Sequence, residues 1–419
     1  MGNVVQLERG PHPPQGPRRR RRKQSKTALV LGGGGFTGAV YEIGALRALD
    51  LLAVDRTVNQ FDVYVGTSAG AVIAALAANG VTPEQMMRVV NDQGPGPFDE
   101  VSFDMLLRPN YREFVAKGVR LPFHLVGVLR EVGRRLPSLS PMDLVLALAD
   151  LLPSGLYTGA GIEQYMRRVL ADPDRTDDFR KLGSELYLAA TDLDTCERIV
   201  LGGPGWDDVP ISAAVRASTA LPMVYQPAQL KDRELVDGGI VSTTNLDIAV
   251  EAGAKLIIVV NPLVPYVNDF TKEIPTLFGT RTRRVSDMGF PKIGYQTFKL
   301  LGYQRLHEVA RSWRERYPGV DIILIEPDTD DELMFQTNIL DYRSRLDVAR
   351  HGFQSVTVKL AADYEDLREV TARHGIELSA TRVRKVVRHF ASEKGEKSRA
   401  WRRILEQTTG ALLRQSAGD

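Results

Sequence analysis

One stretch constrains the fold of this 419-residue chain more than any other. Phe61 to Val65 reads as a short apolar strand that runs into Gly66-Thr67-Ser68-Ala69-Gly70, and small residues at helical spacing follow from Ala71 to Ala78. Strand, Gly-x-Ser-x-Gly turn and helix in that order form a nucleophile elbow. Glycines at the −2 and +2 positions let strand and helix close on each other while the serine is held out on a strained turn. The Ser68 hydroxyl is then expected over a helix N-terminus, where developing negative charge is favoured.

A second strand-to-helix passage lies upstream. Thr27 to Leu31 is fully apolar and leads straight into Gly32-Gly33-Gly34-Gly35-Phe36-Thr37-Gly38, after which Val40, Ile43, Leu46 and Leu49 recur at helix spacing. Glycines serve where backbone N–H groups must approach an anion with no Cβ in the way, and the helix N-terminus adds its dipole. Gly33-x-Gly35-x-x-Gly38 also fits the dinucleotide fingerprint, so the loop by itself marks a nucleotide site, an oxyanion hole or a tight turn. A nucleotide site calls for an acid at the end of the next strand to hold the ribose. That strand ends instead in Gly-Thr-Ser.

A serine nucleophile needs a base. The six histidines are His12, His124, His307, His351, His374 and His389. In the Ser, acid, His order of the α/β-hydrolases the histidine follows the acid near the end of a strand. His307 falls in a helical pattern from Gln304 to Arg314, and His351 in another, which argues against a triad. An acid takes the role directly if it is held against the serine. Leu235-Val236-Asp237-Gly238-Gly239 closes a short strand from Glu234 to Val236 with a carboxylate and two glycines. That segment either presents the Asp237 carboxylate into a site or makes an ordinary Asp-Gly hairpin turn. No metal-ligand spacing such as HExxH occurs, so no metal and no cofactor is called for.

Further apolar strands are expected at Glu185 to Ala190, at Ala254 to Val260 before Asn261-Pro262, and at Val320 to Ile325 before Glu326-Pro327. Their alternation with helical stretches predicts an α/β fold on a largely parallel sheet. About 100 residues separate the elbow helix from the strand at Glu185, more than one crossover needs. Within this insert, Leu121 to Leu129 and Leu144 to Leu152 are apolar, and they read either as buried cap helices or as a lid facing lipid.

Charge is unevenly placed. Residues 1–26 hold eight Lys/Arg against Glu8, and residues 380–419 hold ten against four acids. With a net charge of +2 for the whole, ends of +7 and +6 leave −11 for the middle. Pro11, Pro13, Pro14 and Pro17 precede the run Arg18 to Lys23, which predicts a disordered basic arm over residues 1–26. The arm reads as a solubilising tail or as a contact to anionic lipid. Lacking interleaved aromatics, it offers nucleic acid only non-specific binding. The tail from Thr381 to Leu413 alternates Lys/Arg with Val386, Phe390, Trp401 and Leu405, a basic amphipathic pattern that packs on the body or meets an anionic membrane or a partner. No run reaches the roughly 18 apolar residues of a membrane span. The single cysteine, Cys196, excludes internal disulfides, and the expected location is cytoplasmic with peripheral membrane contact.

Taken together these motifs resemble the patatin-like phospholipase family. The likeness rests on the loop Gly32 to Gly38, the elbow Gly66 to Gly70, Ala190 to Thr195, Ala214-Val215-Arg216-Ala217-Ser218-Thr219-Ala220-Leu221-Pro222, and Asp237-Gly238-Gly239, all in the family's order. It covers roughly residues 27–262 and continues more weakly to about 360. The resemblance implies a three-layer α/β/α fold, with a patatin-like domain over 27–360, a helical insert at about 91–180 and a helical extension over 361–419. It also implies a Ser-Asp dyad without histidine and hydrolysis of lipid acyl esters. By position Ser68 is then the nucleophile, Asp237 the base, and the amides of Gly33, Gly34 and Gly35 the oxyanion hole, with Gly38, Gly66, Gly70, Gly238 and Gly239 shaping the turns. The chain departs from the family's pattern in having Thr37 where Arg or Lys is usual and Asp247 where Pro is frequent. A catalytically silent lipid- or partner-binding protein on the same fold is the alternative, and the presence of both Ser68 and Asp237 argues against it.

Overall fold

The computed structural model describes residues 5–6, 25–91, 107–117, 153–268, 270, 274–275, 281–282, 284–337, 342–382 and 384–385. The expected arm (apart from Val5–Gln6 and residues 25–26), the apolar stretches Leu121 to Leu129 and Leu144 to Leu152, and the tail beyond residue 385 lie outside the described residues.

The order of elements begins with β1 (Val5–Gln6), β2 (Thr27–Leu31), α1 (Gly35–Leu52), β3 (Val63–Thr67), α2 (Ala69–Ala78) and α3 (Pro83–Val90). Then come β4 (Gly155–Tyr157), α4 (Ala160–Leu170), β5 (Glu185–Asp192), β6 (Arg198–Leu201), α5 (Ile211–Ser218), β7 (Met223–Tyr225), β8 (Ala228–Leu230) and β9 (Arg233–Asp237). The chain continues through α6 (Asp247–Glu251), β10 (Leu256–Val260), a small ribbon of β11 (Ile274–Pro275) and β12 (Arg281–Thr282), α7 (Phe290–Arg316), β13 (Asp321–Ile325), α8 (Glu332–Gln336), α9 (Arg345–Ala362) and α10 (Tyr364–Arg373).

The central strands β13, β10, β2, β3 and β5 lie side by side and parallel. Their middle residues are apolar because both faces of the sheet are covered. Alternate residues serve the two sides. Leu29, Leu31, Tyr64, Leu188 and Ile258 face a large core with α1 to α5, α9 and α10, whereas Ala28, Val30, Val63, Val65 and Ile257 face a second core with α6 and α7. This is the expected three-layer α/β/α arrangement. Trp313 on α7 fills the second core, and its indole N–H donates to the Val320 carbonyl at 3.0 Å, fixing that helix beside β13.

Antiparallel strands finish the sheet. β1 joins the outer edge of β13, β6 joins β5, and β8 joins β9. At its C-terminal end the body runs past the boundary expected at residue 360. Leu367, Val370 and Ile376 belong to the large core, and Val54 and Ser379 exchange backbone bonds with Glu377 and Leu52 across the end of α1. Among the described residues no helix is long and apolar enough to cross a membrane.

The elbow helix α2 crosses the sheet at very short range. A Cβ on Gly70 would lie 2.3 Å from the Leu31 carbonyl oxygen, a backbone atom that has nowhere to move. Gly183, by contrast, faces open space. Gly70→Ala is therefore expected to lower the thermal midpoint by several degrees or to prevent folding, with Gly183→Ala unchanged, as read by circular dichroism melting.

Candidate active site

Strand pairing brings the two motif residues together. β5 is eight residues long, and β6 occupies one of its edges over Leu188 to Thr191. On the other edge β3 pairs in parallel with Glu185 to Ala189, and β9 pairs antiparallel with Ala190 to Asp192. The two strands thus meet end to end along one edge. Thr67 opposes Ala189 and Asp237 opposes Ala190, so Ser68, the next residue of the elbow, stands against Asp237.

The Ser68 Oγ–H donates to Asp237 Oδ2 at 2.5 Å. Ser68 sits at φ 55° and ψ −124°, outside the regions L-residues favour, which costs on the order of 1–3 kcal/mol. Neighbours hold it there. The Ser68 N–H donates to Ser218 Oγ at 3.0 Å, and that hydroxyl in turn donates to the Ala189 carbonyl at 2.6 Å. Gly70 N–H donates to the Gly32 carbonyl at 3.1 Å, locking the elbow to the glycine loop.

Asp237 is almost fully buried. Its Oδ1 accepts the Gly239 N–H at 2.7 Å, which fixes the carboxylate plane and leaves Oδ2 for Ser68. Burial pushes its pKa up to about 6, against the opposing pull of the Ser68 and Gly239 hydrogen bonds. Gly238 is needed where it stands, because a Cβ there would lie 2.3 Å from the Ala189 carbonyl oxygen. The segment is thus the end of a sheet strand followed by a helical turn; the strand β9 pairs on one side with β8 and on the other with β5.

The glycine loop lies alongside. Of the three amides expected as oxyanion donors, that of Gly33 is already donated to the Thr243 carbonyl at 2.8 Å, a correction to the sequence-based set. Gly34 and Gly35 stand at the start of α1, where a helix leaves its leading N–H groups without intrahelical partners. Gly33 instead packs against Ser68, with its would-be Cβ 3.3 Å from the Ser68 Cβ.

Thr37 is buried in the first turns of α1. Asp247, at the start of α6, pairs with Arg198 at 2.7 Å. Arg198 also reaches Asn245 Oδ1 at 3.3 Å, and the Asn245 side-chain amide donates to Thr67 Oγ1 at 3.0 Å, tying the end of β3 to the turn after Asp237. Ser218, Thr243 and Asn245 had no assigned role in the sequence. Each acts across the fold, and no local pattern announces it.

The described histidines bond elsewhere. His307 pairs with Glu326 at 2.9 Å, His351 with Asp331 at 2.5 Å and His374 with Asp321 at 2.7 Å. Among the described residues no histidine hydrogen-bonds Ser68 or Asp237.

Ser68 and Asp237 open onto a chamber of about 580 Å³. Its walls are almost wholly apolar, with Phe36, Ile43, Val72, Leu76, Met86 and Tyr165 among the lining residues from α1, α2, α3 and α4. A hydroxyl bonded to a buried carboxylate at the wall of an apolar chamber is equipped to attack a carbonyl carried by an apolar chain.

Residues 29–250 match the patatin-like phospholipase family, and the chain belongs to that family. The sequence is 28% identical over 221 residues to the uncharacterized protein YqhO of Bacillus subtilis (strain 168), and 22% identical over 223 residues to the probable lipid hydrolase 463L of Invertebrate iridescent virus 6. The matched regions make up 48% and 53% of this chain, which spans 63% of the length of each of those relatives. Among solved structures, VipD from Legionella pneumophila is similar over 80% of this chain and 67% of its own, at 14% identity and a TM-score of 0.36. ExoU of Pseudomonas aeruginosa, in complex with SpcU, is similar over 92% and 68%, at 15% identity and a TM-score of 0.26.

Burial of Asp237 generates a stability prediction. A carboxyl whose folded pKa lies near 6, against 3.8 for the free group, is held in its less favoured state whenever it is ionised. The stability it allows is fully present below pH 3.8 and is lost as pH rises through 6. Asp237→Asn should therefore melt higher than the parent at pH 8, by up to ~3 kcal/mol of stability, with the advantage fading as pH falls toward 4. Thermal melts across that pH range check it.

Proposed function

We propose that the protein is a serine acyl hydrolase that cleaves carboxylic esters of lipids, with Ser68 as nucleophile and Asp237 as its base. The observation that carries this reading is the Ser68–Asp237 hydrogen bond at 2.5 Å at the wall of the apolar chamber. Family membership and the name of the viral relative, a probable lipid hydrolase, favour lipid esters as the substrate class.

The chemistry runs in two halves. The Ser68 proton passes to Asp237 Oδ2 as Oγ bonds to the acyl carbon, and negative charge collects on the carbonyl oxygen. Amides of Gly34 and Gly35 and the N-terminus of α2 are the donors available to that oxygen; loss of one such donor typically costs about 10²–10³ in turnover. The C–O bond to the alcohol then breaks, and the Asp237 proton goes to the leaving oxygen, leaving an acyl-enzyme. Water gives a proton to Asp237 and bonds to the acyl carbon, and the second collapse returns that proton to Ser68 as the fatty acid departs. No atom beyond ester and water is consumed.

A base with a pKa near 6 is mostly ionised at neutral pH and still accepts a proton readily. Hydrolysis of chromogenic esters from butyryl to palmitoyl by wild type, Ser68→Ala and Asp237→Asn tests the reading. Each variant should fold and lose at least about 10³ in kcat/KM. Near-full activity in Asp237→Asn, or a folded wild type inert on every ester, would overturn it. For the wild type, kcat/KM should rise with pH through a single ionisation near 6 and then level, because only the ionised carboxylate accepts the proton. A profile flat from pH 4 to pH 8 would remove Asp237 as the base.

A further inference from the structure

Two tyrosines interrupt the apolar wall of the chamber. Tyr225, on β7, and Tyr295, on α7, both line it. A buried tyrosine hydroxyl ordinarily finds a hydrogen-bond partner. Among the described residues neither of these does, and neither is sealed behind other atoms as the Tyr41 hydroxyl is. By contrast, Thr219, also in the wall, gives its hydroxyl to the carbonyls of Val215 at 2.8 Å and Arg216 at 3.2 Å. Both tyrosine rings are held in place. Tyr225 packs on Tyr157, its register partner on β4, with ring centres 6.0 Å apart, and the Gln226 N–H donates to the Tyr157 carbonyl at 2.8 Å. Over the face of Tyr295 lies Lys299 Nζ, 4.7 Å from the ring centre and itself bonded to the Met334 carbonyl at 3.4 Å. Burial keeps both phenols protonated, Tyr225 with its pKa pushed up to about 12 and Tyr295 raised as well, so each offers an O–H donor at neutral pH.

Which part of a ligand these hydroxyls meet follows from where they stand. Met223, two residues before Tyr225, is 80% exposed, and Ile240, on the turn after Asp237, is 44% exposed; both line the chamber and so mark its mouth. Tyr225 is only 7% exposed, and loss of water is the main influence on both phenols, which places their hydroxyls inside. A polar alcohol stays with water at the mouth, whereas the acyl chain is what enters. We propose that the chamber is built for a hydroxylated acyl chain, whose hydroxyl oxygen accepts a hydrogen bond from Tyr225 or Tyr295.

A plain chain would leave both tyrosine hydroxyls buried and unpaired, and a site of that kind discriminates against the ligand that lacks the matching group. Water is a poor substitute, because a water beside either hydroxyl needs two or more polar partners and the surrounding walls are apolar. A few placed polar groups in an otherwise apolar pocket are what fix the orientation of a ligand. The inference rests on the chamber being an acyl site, and its test is chosen to separate the two.

Nitrophenyl dodecanoate is compared with esters of the same length bearing one hydroxyl at successive positions along the chain, using wild type, Tyr225→Phe, Tyr295→Phe and the double variant in the full chain. Phenylalanine keeps the ring and its packing. For wild type, kcat/KM at the best hydroxyl position should exceed that of the plain ester about tenfold, and this ratio should fall about threefold or more in at least one single variant and vanish in the double one. A wild type that favours no hydroxylated ester, or a preference that survives both substitutions, overturns the proposal. So does a loss on plain and hydroxylated esters alike with the ratio unchanged, because the phenols would then only pack the wall. Dodecanoyl glycerol against propyl dodecanoate tests the other source of oxygen. A tyrosine-dependent preference confined to the glycerol ester would put the recognised oxygen on the alcohol and overturn the assignment to the chain. Calorimetric titration of the Ser68→Ala form, with and without the tyrosine substitutions, against dodecanamide and its hydroxylated counterparts needs no turnover. Tyrosine-dependent preference there, with every ester left uncleaved by wild type, would support the hydroxylated chain as ligand and count against the hydrolase reading alone; equal binding of plain and hydroxylated amides would overturn the inference.

Discussion

Two strands of opposite direction share one edge of β5, and the place where they run into each other fixes everything around it. β3 arrives from the bottom of the parallel sheet and β9 from the top, so their ends cannot pass. Chain direction alone then sets Ser68 of one strand's turn against Asp237 of the other, with Ala189 and Ala190 of β5 as the shared backing. Small residues are needed at this junction because three backbones converge on it. Gly238 lies on the Ala189 carbonyl, Ser218 bonds the same carbonyl and the Ser68 amide, and Gly70 presses on Leu31.

Holding a serine at φ 55° on this junction is unfavourable in itself and persists only because the surroundings over-determine it. Four separate segments contribute. α5 supplies Ser218, the glycine loop accepts the Gly70 amide, the turn after β9 supplies Asn245 to Thr67, and Asp237 takes the hydroxyl. The Arg198–Asp247 pair extends this bracing by anchoring α6 beside Asn245. The aspartate at position 247 thus has a physical role of its own, an ion pair that a proline there would forfeit.

Much of this was legible in the sequence because the motifs combine strong backbone demands with simple hydrophobic pattern. The apolar runs at Thr27 to Leu31 and near Val63 mark central strands, since only a strand buried on both faces reads that way, and the glycines after them mark the tight turns. Ends of elements shifted by a residue or two: the elbow strand closes at Thr67 and its helix opens at Ala69. What no local pattern conveys is which amide meets which carbonyl. The glycines of the loop look alike in sequence, yet Gly33 gives its N–H to Thr243, more than 200 positions away in the chain, and Gly34 and Gly35 do not share that partner. The body's extension past residue 360 was hidden for a related reason. Leu367 and Val370 look like a short apolar stripe on a charged helix, and Ile376 like a residue of the turn beyond it, until the large core is there to receive them.

In the proposed hydrolase the apolar chamber would act on the chemistry as well as on the ligand. Walls that exclude water stabilise an acyl chain, and the same exclusion raises the Asp237 pKa from 3.8 to about 6, turning a weak base into one matched to neutral pH. The proposed reaction then needs no histidine, because burial brings a carboxylate close to the basicity an imidazole has in water. The two roles are coupled: a polar or charged side chain placed in the chamber to hold a head group would admit water, lower that pKa and weaken the base. In the proposed reaction a buried carboxylate base therefore favours keeping head-group recognition out of the interior, which is left to the acyl chain of the ester.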